Sequence, residues 1–226
     1  MSASLGQRYS AEELFEIFKE QHRLFSPHDP EADPFAELTP DSSVADWRDA
    51  TDLLPARALA LYFNKAFELD APIEAWVTVL EPSDERTMRQ VCEFLSQHAF
   101  KETIAPVRLL GQECLTAATF LWLKAKLGKA GIDVSGLRPS TPIAEYKKHF
   151  GLLMHEVLRQ GVHTIDMIEL EKFPLSEAWR YVVAFLFPHG SSGRRLLTGD
   201  VVTFRDLVER LVEARPLGSV QVPSTR

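Results

Sequence analysis

The chain has 226 residues, of which 45% are hydrophobic and 25% charged, and its formal net charge is −7. That length suits one large domain or two of roughly 100 residues each. The acidic balance argues against general nucleic-acid binding, which needs a basic surface for phosphates, and no apolar run reaches the roughly 18 residues of a membrane span.

The first residues, MSASLGQRYSAEELFEIFKEQ, lack the basic start and apolar stretch of a signal peptide. Cys92 and Cys114 are the only cysteines. Both fall inside apolar helical patterns and read as buried thiols of a reducing compartment, not as a disulfide framework. A cytoplasmic location is the expectation. The charge is uneven. Residues 1–100 carry 8 Lys+Arg against 19 Asp+Glu, a balance of −11, and residues 101–226 carry 17 against 13, a balance of +4. An acidic half steers basic partners toward it, though the same charge also serves solubility.

In chain order, helical signals dominate. Ser10 and Glu13 have capping-box spacing, and Leu14, Ile17, Phe18 and Phe25 follow on one face. SPHDPEADPFAELTPDSS is too punctuated by Pro and Asp for a helix. The next helix is expected after Asp52 as N-cap, with Pro55 in its first turn and Ala56, Leu59, Ala60, Phe63 and Phe67 as its buried stripe. PIEAWVTVL reads as a short helix that Pro82 stops. Thr87 and Gln90 form another capping box, ahead of Met88, Val91, Cys92, Leu95 and Ala99 at helical spacing.

Residues 100–111 read as a linker whose IAPVRLLG can be extended. QECLTAATFLWLKAKLGKA is a strong helix ended by Gly131. Thr141 then offers a cap with Pro142 at the first helical position, and GLLMHEVLRQG is helical. VHTIDMIELEKF leaves room for a short strand. LSEAWRYVVAFLF is a buried helix, PHGSSGRRLLTGD a loop, and TFRDLVERLVEAR the closing helix, followed by a frayed tail.

The chain repeats itself. LTPDSSVADWRDA, Leu38 to Ala50, aligns without gaps on LRPSTPIAEYKKH, Leu137 to His149. Ser42 meets Thr141, Val44 meets Ile143, and Trp47 meets Tyr146. EAW recurs at 74–76 and 177–179, and TMRQVCEFL at 87–95 matches TFRDLVERL at 203–211 with its apolar residues in the same register. Three matches in one order imply a tandem duplication. The expected fold is mostly α: two small four-helix domains, 1–100 and 101–226, the second with insertions and room for a short strand.

The unit resembles the acyl carrier protein family. LTPDSSVADW looks like the loop leading to that family's second helix, TMRQVCEFLSQH like its final helix, and KLGKAGIDVSGLRPSTPIAEY like the stretch from first helix into loop. The resemblance implies a four-helix domain. It covers most of residues 10–100 and is patchier over 112–215. It also implies a serine after an aspartate, bearing phosphopantetheine, at the start of the second helix. Leu53 stands there, after Asp52, with Thr51 and Ser43 as the nearby hydroxyls, and no serine lies between Ser140 and Ser176. Carrier-like domains without carrier chemistry, and hence without that cofactor, are the expectation.

Other chemistry is thin. His155, Glu156, His163, Asp166 and Glu169 are metal-ligand types, but not at HExxH spacing. HGSSGRR offers an anion cradle without the Lys-Ser/Thr of a P-loop and reads as a surface loop. The cysteines read as inert. The leading expectation is a non-catalytic binding or adaptor module that docks a basic protein partner. Its candidate binding residues are Asp46, Asp49, Asp52 and Trp47, although Trp47, Trp76, Trp179 and Tyr146 read first as core anchors, with an exposed binding patch as the alternative. The alternative is a metal-assisted hydrolase centred on His155, His163 and Asp166. Neither the partner nor the oligomeric state is encoded in a motif.

Overall fold

The computed structural model describes residues 7–161, 169–172, 194–197 and 199–214. Within them the protein is mostly α, with two small antiparallel two-stranded sheets. Helix α1 (Ala11–Phe25) opens on the Ser10 capping box. Ser10 Oγ accepts from the Glu13 amide, and the Glu13 carboxylate accepts from the Ser10 amide. Leu14, Ile17 and Phe18 form its buried stripe.

A 3-10 turn (Ser26–His28) leads into the long loop. Helix α2 (Val44–Thr51) then appears where the sequence reading placed no helix. Ser43 and Asp46 make a reciprocal capping box there, and Val44, Trp47 and Ala50 bury one side. Asp52 is therefore not the N-cap of the next helix. It ends α2 in the left-handed conformation, φ 46°, which Asp tolerates better than most residues. Helix α3 (Ala56–Ala66) begins after Pro55 without a side-chain cap.

Helices α4 (Ile73–Leu80) and α5 (Met88–His98) follow as expected, the latter on the Thr87–Gln90 box. Among its described residues the first half thus holds five α-helices, not four. Trp76 is fully buried, and its indole donates to Asn64 Oδ1 at 2.9 Å, while Asn64 Nδ2 donates to the Ala71 carbonyl at 2.7 Å. That chain of bonds ties α3 to α4.

The linker is partly ordered by pairing. Arg8 bridges Phe100, and the Lys101 amide donates to the Gln7 carbonyl. Strands β1 (Val107–Leu109) and β2 (Gln112–Cys114) form a hairpin, with Leu110 and Gly111 both at positive φ in its two-residue turn. Helix α6 (Leu115–Lys129) starts at Cys114, later than the helical pattern alone implies. Pro142, not Thr141, is the N-cap of the 3-10 helix Ile143–His149. Helix α7 (Phe150–Leu158) continues it directly. Strand β3 (Glu169–Lys172) pairs with β4 (Arg194–Leu197), so residues read as loop are extended at 194–197. Helix α8 (Phe204–Glu213) closes the described chain on the Thr203–Asp206 box. The expected helix at 176–187, the second EAW with Trp179, and the tail lie outside the described residues.

The two repeated loops make the same hydrogen bonds. In the first half, Val44 N donates to Arg86 O (2.7 Å), Met88 N to Ser42 O (3.0 Å) and Arg89 N to Pro40 O (2.8 Å). In the second, Ile143 N donates to Val202 O (3.0 Å), Phe204 N to Thr141 O (3.1 Å) and Arg205 N to Pro139 O (2.7 Å). Ser42 Oγ accepts from the Thr39 amide as Thr141 Oγ1 accepts from the Arg138 amide. Val44 and Ile143 are both fully buried, as are the matched stripes Met88, Val91, Leu95 and Phe204, Leu207, Leu211. In each half the last helix packs on the first, α5 on α1 and α8 on α6.

The clasps differ at their caps. Ser43 accepts a hydrogen bond at the start of α2, whereas Pro142 has no side chain to do so, and its segment stays 3-10. Trp47 and Tyr146 each lie three residues after the buried residue whose amide joins the clasp, Val44 and Ile143. Trp47 is buried on Phe18 of α1, while the half-buried Tyr146 meets Phe204 of α8 edge-on.

One continuous core runs through both halves. Phe25 meets Phe150 edge-on, Tyr9 Oη donates to the Arg159 carbonyl at 2.8 Å, and the Arg159 guanidinium lies over Phe67. Among the described residues no helix is long and apolar enough to cross a membrane.

Candidate functional site: an acidic helix and a cleft between the halves

Two features stand out. The first is the outer face of α2. Asp46, Asp49 and Asp52 are all exposed. Asp46 also accepts from the Ser43 amide, so it serves the helix start as well as the surface. Trp47 is not part of that exposed patch. It is 3% exposed, stacked on Phe63 and packed on Phe18. Leu53 packs half-buried against the core. The neighbouring Thr51 hydroxyl donates to the Trp47 carbonyl at 2.6 Å.

The second feature is a cleft of about 830 Å³ between the halves. The first half contributes the apolar side chains Phe18, Phe25, Trp47, Leu59 and Phe63 together with the charged Asp29, Asp52 and Lys65. The other wall comes from α6 and α7 and carries Lys126, Lys129, His155, Glu156 and Arg159. Such a volume and lining are typical of small-molecule sites.

The polar wall joins elements far apart in sequence. Glu68, at the end of α3 with φ 54°, accepts from Lys126 Nζ and Lys129 Nζ, each at 3.0 Å. The Lys129 and Lys126 bonds, in that order, pull its carboxyl down to about 2. Lys126 also reaches Glu102 of the linker at 2.7 Å. Burial alone would lower the Lys126 ammonium, but its bonds to Glu102 and Glu68 outweigh that and leave it raised.

His155 is pushed down to about 4, chiefly by burial and then by the Arg159 charge, so its ring is neutral at physiological pH. Burial raises the Glu156 carboxyl, against the lowering effect of Arg159. Glu156 and Arg159 face each other at 3.6 Å, an ion pair longer than a hydrogen bond. Three buried polar atoms on this turn have no hydrogen-bond partner: His155 Nδ1, Glu156 Oε2 and Arg159 Nε.

Two hydroxyls of the cleft are already engaged. The Ser26 hydroxyl donates to the Ala50 carbonyl, and Thr51 is bonded as described. The Cys92 thiol is buried and pushed up to about 12, which keeps it from acting as a thiolate. Of the hydrolase triad, His155 lies in the cleft, while His163 and Asp166 lie outside the described residues. No group of three His, Cys, Asp or Glu is placed to hold a metal ion among the described residues. The sequence reading singled out His155 and Glu156 but missed Glu68, Lys126, Lys129 and Arg159. Arg159 sits four residues after His155, one helical turn on, and that spacing was the available signal. No protein-family model matches the chain, and no curated protein or solved structure is significantly similar to it.

Proposed function

We propose that the chain is a non-catalytic binding module built from two degenerate acyl-carrier-like repeats, which docks a basic protein partner through the acidic face of α2. The observation that carries this reading is the paired clasp, the same three backbone bonds holding loop to last helix in each half. Two copies of one carrier-like unit account for it. Leu53 at the arm position argues for loss of carrier chemistry, since leucine has no hydroxyl to modify.

Asp46, Asp49 and Asp52 project from one short element within a half whose balance is −11. They form the natural landing surface for a cationic partner; Asp52 also lines the cleft, and Asp46 also caps the start of α2. The experiment is capture from native lysate at low and moderate salt, with the wild type beside an Asp46→Lys, Asp49→Lys, Asp52→Lys variant. The wild type should recover a basic protein at low salt that the variant loses. Recovery of the same proteins by both forms at both salts overturns the docking role.

A further inference from the structure

We propose that the cleft between the halves binds a small amphiphile of no net charge, its apolar body lying against Leu53, Leu54 and Tyr62 of the first half and Leu152 of α7. The argument does not rest on the protein-docking role, although Asp52 belongs to both surfaces.

Two observations carry it. The first is the apolar character of the opening. Leu54, Tyr62 and Leu152 are 50%, 43% and 46% exposed, and all three line the cleft. Single exposed apolar side chains are ordinary on a protein surface, but their convergence on one concave opening is what a ligand site needs. The half-buried Phe25 and Leu53 extend this surface, and the buried Phe18, Leu59 and Phe63 form its floor.

The second observation is the balance of charge. Asp29, Asp52, Glu68 and Glu156 bring carboxylates to the cleft. Lys65, Lys126, Lys129 and Arg159 bring the same number of cations. Much of this charge is already paired. Glu68 accepts from both lysines of α6, Lys126 also reaches Glu102, and Glu156 faces Arg159. His155 adds no charge at physiological pH. The buried atoms without a partner are likewise of both kinds, an acceptor at Glu156 Oε2 and a donor at Arg159 Nε. A charged head of either sign would lose hydration on entering and meet no surplus of the opposite sign. A hydroxyl head, which both donates and accepts, loses far less.

The measurement is isothermal titration of the full chain at neutral pH with nonan-1-ol and, separately, with nonanoate and nonylammonium, which carry an anionic and a cationic head on the same tail. Nonan-1-ol should bind saturably, one per chain, and at least about tenfold tighter than either ion. A double variant, Leu54→Ser with Leu152→Ser, removes apolar surface at two exposed positions. It should keep its fold and weaken nonan-1-ol by about fivefold or more. Lys129→Gln, at a mostly exposed position, removes one cation and should shift the ratio of the two ionic affinities about threefold or more toward nonylammonium. That ratio decides the matter if the double variant fails to fold. Absence of saturable nonan-1-ol binding, an ion that binds as tightly as the alcohol, wild-type affinity in a folded double variant, or an unchanged ratio in Lys129→Gln would overturn the proposal.

Discussion

At the scale of single residues, burial decides what each group does. His155 illustrates the sign. Its ordinary value of 6.5 is depressed to about 4 in the folded chain. The unfolded chain therefore takes up a proton near pH 6.5 that the folded chain resists until about 4. Stability from this group is complete above 6.5 and is lost as pH falls toward 4, with an upper bound on the order of 3 kcal/mol. Glu156, raised by burial, slopes the other way above its ordinary value. His155→Gln should thus flatten the fall in urea-unfolding free energy between pH 6.5 and 4, and an unchanged slope would show that the ring does not govern it.

Trp76 anchors the first half. It is fully buried and bonded to Asn64, so Trp76→Ala should cost about 3–5 kcal/mol in chemical denaturation. Leu53 carries the negative prediction. Incubation with coenzyme A and a broad-range phosphopantetheinyl transferase should leave the mass of the chain unchanged. A gain equal to the arm would contradict this and point to Thr51 or Ser43 as the acceptor.

At the scale of elements, the local signals were legible and the long-range ones were not. The Ser10, Thr87 and Thr203 caps and the stripes of α1, α5 and α8 could be read because a cap and a helical face involve residues three or four apart. Helix α2 was missed because the Pro- and Asp-rich stretch before it reads as loop to its end, and Asp52 is as good an N-cap by type as the C-cap it became. Strand β4, Arg-Arg-Leu-Leu, has no alternation to betray it. The cleft was illegible because Glu68, Glu102, Lys126 and His155 meet only once α3, the linker, α6 and α7 are packed together. The clasp makes its own prediction. Thr87→Ala and Thr203→Ala remove equivalent caps and should each cost about 0.5–2 kcal/mol by urea unfolding. A large effect from one and none from the other would mean that the halves do not use the clasp alike.

At the scale of the whole molecule, the halves share one hydrophobic core, and Lys126 and Arg159 tie the second half to Glu68, Glu102 and Tyr9 of the first half and the linker. They should open together. Native-state hydrogen exchange should give the slowest amides of α5 and α8 the same limiting free energy, and an α8 that opens well before α5 would contradict it. Under the proposed docking, the attraction of the acidic half is screened over about 8 Å at physiological ionic strength and acts mainly on the rate of encounter. Exposed carboxylates each contribute only about 0–1 kcal/mol to stability, so their reversal should spare the fold; the exception is Asp46, which also caps α2. The most direct measurement is the association rate of the chain with the basic protein it captures, followed over increasing salt for the wild type and the Asp46→Lys, Asp49→Lys, Asp52→Lys variant. The wild-type rate should fall steeply with salt, and the variant should associate more slowly with a flattened dependence. The same rate and the same salt slope in both would contradict docking through α2.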